Sequence, residues 1–355
     1  MQKRPAYNIH DLQSETLIRL LKKEKIIKIK DKSKQIFLKA MTYIANASED
    51  SYVLLTQGLS GNAVVEEFRW MFYSERIILF PQNAQLLDNI LKCQYNLERI
   101  AVDIPFSIFQ LAFPKGYRLA EEEALGCMVS IRSMEDNLIY YNKMMTGMGF
   151  NAKKDIIDPS GRIADHKERV VCITYFSASD RNKPKHQRQL YRTSFPLNML
   201  EDIIQCRNYQ DYHQVLGDCQ STHDAEKSLS EAEYAFQFEL VRLVFSLLVY
   251  IQATGQETIK EALPGQFRRF IQSQMASGVA KPVQLNTPEK TGSGIKTDNA
   301  SRKAHYRRWT IRVLRDEKYY RGEWEDKPRG SHLAFVHDCW VGEKISPKTI
   351  VGKKS

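Results

Sequence analysis

Residues 305 to 329 carry side chains suited to bind or react with a phosphodiester, because arginine is interleaved with tryptophan and tyrosine in HYRRWTIRVLRDEKYYRGEWEDKPR. Guanidinium groups pair with phosphate oxygens, and aromatic rings stack on the bases of a single strand for about 1–3 kcal/mol each. This combination predicts a contact surface for nucleic acid, either RNA or DNA. The residues predicted to form it are Arg307, Arg308, Trp309, Arg312, Arg315, Lys318, Tyr320, Arg321, Trp324 and Arg329.

Two histidines of the same region, His305 and His337, are weaker candidates for catalysis. Imidazole exchanges protons near neutral pH, and neighbouring arginines would stabilise negative charge developing at phosphorus. A nucleic-acid-processing enzyme, such as a toxin-like nuclease or transferase, is therefore an alternative hypothesis, and the sequence leaves open whether the chain is an enzyme.

The stretch His337-Asp338-Cys339 contains three possible metal ligands. Side chains alternate along a strand, so Asp338 would lie on the face opposite His337 and Cys339, which leaves two ligands at most. We therefore expect no metal site and no cofactor.

The charge of the chain is concentrated near its end. Residues 1–265 hold 33 Lys and Arg against 33 Asp and Glu, whereas residues 266–355 hold 19 against 9, so the whole net charge of +10 belongs to the second segment. Such asymmetry indicates a polyanionic partner, most economically nucleic acid.

Two alternative roles for the basic aromatic segment stay open. A domain this small needs large side chains to form any core, so its aromatic residues could be buried under a basic surface. The segment could also bind an acidic protein, which makes a host-factor-binding interaction protein with an accessory basic module the third hypothesis.

Hydrophobic periodicity predicts an α+β fold. Helical spacing dominates residues 1–99 and 195–272, whereas aromatic and β-branched runs with period-two alternation occupy residues 100–180. The expected structure is a central antiparallel β meander that packs on a long helix within residues 225–254.

Composition predicts two parts joined by a break. Residues 273–300 are rich in Ser, Thr, Gly, Asn and Pro and contain no large aromatic residue, so we expect a flexible linker or a long loop. The linker would separate an α+β body, residues 1–272, from a basic aromatic β module, residues 301–355. Within that module, HYRRWTIRVLR and HLAFVHDCWVG are predicted strands.

Bulk features indicate a cytoplasmic protein without a membrane partner. The N-terminus lacks the apolar core of a secretory signal, and the apolar run at residues 240–253 is shorter than the roughly 20 residues that span a bilayer. That run is a predicted buried helix. The six cysteines form no C-x-x-C pair, which is typical of reduced, buried thiols.

The motif SRKAHYRRWxxRVLR, followed by RG, PRGS, FV and WVG, comes after a helical segment that ends in LVFSLLVYI. This combination resembles the C-terminal part of uncharacterised proteins that recur in phages and plasmids. The resemblance is confined to the C-terminal fifth of the chain, which has Trp-Thr-Ile-Arg where Gly-His-Trp-Arg is common in those proteins. It implies a mobile-element setting and an intracellular site of action, and it implies no activity. The sequence thus favours an intracellular nucleic-acid-binding protein of a mobile genetic element.

Overall fold

A mixed β-sheet with helices on both faces forms the centre of the protein. The computed structural model describes residues 7–47, 61–93, 95–96, 106–133, 169–176, 190–218, 230–261, 280–288, 305–307, 309–337 and 339–341. The described strands are β1 (Tyr7–Asn8), β2 (Ile77–Pro81), β3 (Tyr95–Asn96), β4 (Ile108–Leu111), β5 (Phe113–Pro114), β6 (Arg118–Leu119), β7 (Glu122–Glu123), β8 (Cys127–Ser133), β9 (Arg169–Phe176), β10 (Leu190–Pro196), β11 (Ile259–Glu261), β12 (Lys281–Leu285), β13 (His305–Arg307), β14 (Thr310–Val313), β15 (Leu333–Val336) and β16 (Cys339–Val341). The described helices are α1 (Gln13–Lys23), α2 (Ser33–Ala47), α3 (Gly61–Tyr73), α4 (Ala84–Leu91), α5 (Leu200–Gln205), α6 (Tyr209–Asp218) and α7 (Glu231–Thr254).

The main sheet has the strand order β10-β9-β8-β4-β2-β12-β11. Strands β4, β8 and β9 pair antiparallel in succession, as the sequence predicts for a meander within residues 100–180, and β10, which lies beyond that range, pairs antiparallel with β9. Strand β2 pairs parallel with both β4 and β12, and all five of its residues are buried, which is typical of a central parallel strand covered on both faces. The fold is α+β.

One face of this sheet is apolar and packs on α7. Ser230 and Glu233 form a capping box at the N-terminus of the helix, and Gly255, with φ of 63°, follows its last residue. Among the described helices, α7 alone is long and apolar enough to cross a membrane, and 78% of that apolar window is buried inside the protein. The predicted buried helix at residues 240–253 is thus confirmed.

The other face packs on α1, α2 and α3 in a second apolar cluster, which includes several buried polar side chains. Gln110, Ser130 and Thr174 lie on adjacent strands and are at most 4% exposed. Helix α3 contributes Glu66 and Glu67, which are at most 1% exposed. This face therefore buries polar groups within a largely apolar contact.

Part of the predicted linker belongs to the sheet. Residues 281–285, within the segment 273–300, form β12 between β2 and β11, and Val283 and Leu285 are buried in the core. Two apolar residues next to a proline are too few to give a recognisable period, so the sequence pattern misses this strand. Strand β2 likewise interrupts the region 1–99 that was predicted to be helical.

Each of the two predicted C-terminal strands is present as two shorter strands, and β14 and β15 join the main core. Strand β14 pairs antiparallel with β15 and parallel with β3, while β13 pairs antiparallel with β16. Ile311 and Leu333 belong to the same hydrophobic cluster as α7, and the Gln252 side chain donates a hydrogen bond of 2.8 Å to the Ser331 carbonyl. The basic β module therefore shares a core with the body.

Candidate nucleic-acid interface

The connection between β14 and β15, residues 314–332, holds most of the predicted contact residues, and we call it the 314–332 loop. Two short 3-10 turns, Glu317–Tyr319 and Gly322–Trp324, shape it. The Asp316 carboxylate accepts a hydrogen bond from the Lys318 backbone and so begins the first turn. Gly322 has φ of 62°, a conformation that favours glycine, at the start of the second.

The Tyr320 hydroxyl fastens the two ends of this loop together. It donates to the Leu314 carbonyl at 2.7 Å and accepts from the backbone N–H of Gly330 at 2.6 Å and of His332 at 3.3 Å. The residue is 8% exposed. Tyr320, a predicted base contact, therefore has its ring buried and organises the loop instead.

Trp309, another predicted base contact, lies against the main core. Its ring centroid is 5.7 Å from that of Tyr250 and 5.2 Å from that of Phe335, and the side chain is half-buried. Because side chains alternate along β14, Ile311 shares this core face whereas Arg312 is exposed on the other. The alternative in which aromatic residues form a core under a basic surface describes Trp309 and Tyr320.

Trp324 differs from Trp309 in its contacts, because its half-buried indole lies in the loop and stacks on His332. The ring planes are within 3° of parallel and the centroids are 4.1 Å apart. The Lys327 ammonium lies 4.6 Å from the indole centroid, a cation–π distance. Since His332 fills the surface on which it stacks, Lys327 occupies indole surface that the imidazole leaves open.

The predicted phosphate contacts of this region are exposed. Arg312, Arg315, Lys318, Arg321 and Arg329 all present their side chains to solvent. A surface of guanidinium groups around a stacked indole can hold phosphates and one base at the same time.

Acidic side chains divide this basic surface. Lys318 pairs with Asp316 at 3.1 Å, and Arg329 pairs with Glu317 at 3.3 Å. Hydrogen bonds from Lys318 lower the pKa of Asp316, and the same pair raises the pKa of Lys318. Residues 309–337 hold six Lys and Arg against five Asp and Glu, so most of the excess charge of residues 301–355 belongs to its other residues.

The remaining predicted residues are His305, Arg307, Arg308 and His337. The backbones of His305 and Arg307 are in β13, opposite Val341 and Cys339, and Arg308 lies outside the described residues. His337 is half-buried, and its ring meets that of Phe335 edge to face at 5.1 Å. In the part of the chain that the structure describes, no group of three His, Cys, Asp or Glu is placed to hold a metal ion.

Sequence reasoning missed a buried polar pair on the other face of the sheet. His10 Nε2 lies 2.9 Å from Glu67 Oε1, and Glu67 Oε2 accepts from the Ser14 backbone at 2.6 Å. Both side chains of the pair are fully buried, and His10 Nδ1 has no hydrogen-bond partner among the described residues. A carboxylate that orients an imidazole is the arrangement of a general base. Because both side chains are buried here, the pair instead links the chain before α1 to helix α3.

A second buried charge lies beside it on α3. Arg132, at the end of β8, pairs with Glu66 at 2.7 Å, and Arg69 lies 3.9 Å from the other oxygen of that carboxylate. Two acids within the apolar run VVEEFRWMF were the signal that could have revealed both pairs.

Comparison with protein-family models, with curated proteins and with solved structures finds no match to this chain.

Proposed function

We propose that the protein binds single-stranded nucleic acid through the 314–332 loop. The observation that carries the proposal is the Trp324–His332 stack, which lies in a loop whose arginines are exposed. In this proposal Trp324 stacks on one base, and Arg312, Arg315 and Arg321 contact the flanking phosphates.

The imidazole prepares the indole for a base. Stacking on His332 orients the Trp324 ring before the ligand arrives, so less side-chain freedom is lost on binding. A base that stacks on the open indole surface displaces the Lys327 ammonium. The displaced lysine has a flexible stem and can then pair with the phosphate of the same nucleotide.

Ion pairs within the loop set the strength of binding. Phosphates must compete with Asp316 for Lys318 and with Glu317 for Arg329. These two cations therefore contribute less to the free energy of binding than Arg312 does. A single strand is favoured over a duplex because a duplex stacks its bases inside and offers no free base face to the indole. The resemblance of the chain ending to phage and plasmid proteins adds a mobile genetic element and an intracellular setting to this proposal.

Fluorescence anisotropy with the full chain tests the proposal. Nuclease-treated protein is titrated into labelled single-stranded RNA, single-stranded DNA and duplex at several salt concentrations. We expect the single strands to bind more tightly and the affinity to fall steeply with salt. No binding near physiological salt, or an affinity that does not change with salt, would exclude the proposal.

The same preparation separates the two other hypotheses. Cleavage of the labelled strand that disappears in His305→Ala and His337→Ala would indicate a processing enzyme instead. Host proteins that stay bound to the chain after nuclease treatment of a lysate would indicate an interaction protein.

A further inference from the structure

The connection between α1 and α2 is a second charged surface, separate from the 314–332 loop. Residues 22–32, which we call the lysine turn, contain six lysines and two acids. The lysines are Lys22, Lys23, Lys25, Lys28, Lys30 and Lys32, and all six are exposed.

Asp31, one of the two acids, is already paired. Its carboxylate accepts from the Lys39 ammonium at 2.6 Å and from the Lys28 backbone at 2.7 Å. The bond from Lys39 and the bond from the Lys28 backbone lower the pKa of Asp31. Lys39 neutralises Asp31. Of the two acids in residues 22–32, Glu24 therefore remains to oppose the charges of six lysines.

The lysine turn has a defined conformation. Ile27 is 2% exposed and anchors it to the core, and the backbone N–H groups of Ile26 and Ile27 donate to the Leu21 carbonyl. The Asp31 N–H donates to the Lys28 carbonyl at 3.0 Å, which closes a tight turn with Ile29 and Lys30 at its tip.

Isoleucine is an unusual residue for such a tip. Ile29 is 102% exposed and Ile26 is 38% exposed. Tight turns favour Gly, Pro, Asn, Asp and Ser, and an isoleucine held in water contributes nothing to folding. A residue that departs from the preferences of its local structure without stabilising the fold is typical of a functional site.

We infer that the lysine turn binds the surface of an anionic lipid bilayer. Ile29 and Ile26 enter the apolar edge of the headgroup region, and the surrounding lysines pair with lipid phosphates while their stems lie along the apolar layer. This goes beyond the proposed nucleic-acid binding. It also differs from the expectation of no membrane partner, which rested on the lack of a spanning segment, because a surface turn needs none.

A nucleic-acid backbone fits the turn less well. It would pair with the lysines but would leave Ile29 in water, and the turn contains no arginine or aromatic residue that would favour phosphate forks or bases. The exposed isoleucine at the tip therefore favours an anionic bilayer over nucleic acid as the ligand of the lysine turn.

Vesicle co-sedimentation with the full, nuclease-treated chain tests the inference. Vesicles of phosphatidylcholine alone are compared with vesicles that contain one part of phosphatidylglycerol in three. Ile29→Ser and the double variant Lys28→Ala/Lys30→Ala are measured beside a control, Lys92→Ala/Lys115→Ala, which removes two exposed lysines elsewhere. All of these side chains are exposed, so folding should be unchanged, and thermal melting verifies this.

We expect the parent chain to bind the anionic vesicles and not the neutral ones. The double lysine variant should bind about thirtyfold more weakly, since each lysine contributes about fivefold. Ile29→Ser should bind about fivefold more weakly. The control variant should bind as the parent chain does. Equal binding of Ile29→Ser and the parent, or no preference for anionic lipid, would overturn the inference. A loss of single-strand binding in the lysine variant without any vesicle binding would assign the turn to nucleic acid instead.

Discussion

His332 and Trp324 lie with their ring planes within 3° of parallel and their centroids 4.1 Å apart, although eight positions separate them in the 314–332 loop. Without His332, the indole would be free to adopt other rotamers, and binding a base would have to order it. The pair is therefore a preorganised aromatic surface within a loop of exposed cations.

Trp324→Ala should weaken binding of a single strand by about fivefold to 150-fold, since stacking on one base contributes about 1–3 kcal/mol. His332→Ala should weaken it by a smaller factor, and His332→Phe should restore affinity because phenyl keeps the parallel contact. Anisotropy titrations of the three variants with one labelled strand provide the measurement. Equal affinity of Trp324→Ala and the parent chain would show that no base stacks there.

Arg312→Ala should reduce the dependence of binding on salt. Removing the cation that pairs with one phosphate of a single strand lowers the slope of log affinity against log salt by about 0.7. Arg207→Ala removes an exposed arginine from the connection between α5 and α6 and should leave the slope unchanged. Matching slopes for Arg312→Ala and Arg207→Ala would remove Arg312 from the interface.

The loop shows how far sequence reasoning reaches. The C-terminal strands, the meander and α7 follow from local periodicity, which neighbouring residues carry. In the sequence, Trp309 and Tyr320 look like base contacts. Their burial could not be predicted, because it depends on distant partners. Trp309 packs on Tyr250, and the Tyr320 hydroxyl bonds three backbone groups. The His332 stack was not predictable, since no helical or strand period relates it to Trp324.

Long-range pairing limits prediction elsewhere in the fold. Strand β12 is held by its neighbours β2 and β11, and its own five residues carry a weak pattern. Residues 22–32 are rich in lysine. The exposure of Ile29, however, follows from the turn between Lys28 and Asp31.

Tyr320→Phe should lower the free energy of unfolding by about 2 kcal/mol. The change removes a hydroxyl that serves the Leu314 carbonyl and two backbone N–H groups, and it leaves those groups without their partner. Tyr319→Phe, at a neighbouring ring that is 38% exposed, should change stability by no more than about 0.5 kcal/mol. Urea unfolding followed by circular dichroism compares them, and similar midpoints would argue against the role assigned to Tyr320.

His10→Ala should lower the free energy of unfolding by about 3 kcal/mol, because it leaves the buried Glu67 carboxylate without its imidazole partner. Replacing both residues, as His10→Leu/Glu67→Leu, should cost less than the sum of the two single changes, since no buried charge then remains unpaired. Urea unfolding of the single and double variants measures the coupling. Strict additivity would mean that the two side chains do not stabilise each other.

Alkaline pH should unfold the protein through its buried tyrosines. Burial raises the pKa of Tyr117, Tyr175, Tyr212 and Tyr250, so each phenol keeps its proton in the folded chain at a pH where the unfolded chain has lost it. The stabilisation is fully present below the unfolded pKa of about 10 and is lost as pH rises above it, by up to about 1.4 kcal/mol per pH unit for each tyrosine. Urea unfolding at a series of pH values up to 12 should give a free energy that falls steeply beyond pH 10. Tyr175→Phe should make that fall shallower, because one of the buried phenols is then absent. A free energy that does not change between pH 9 and pH 12 would contradict the assignment of these phenols to the core.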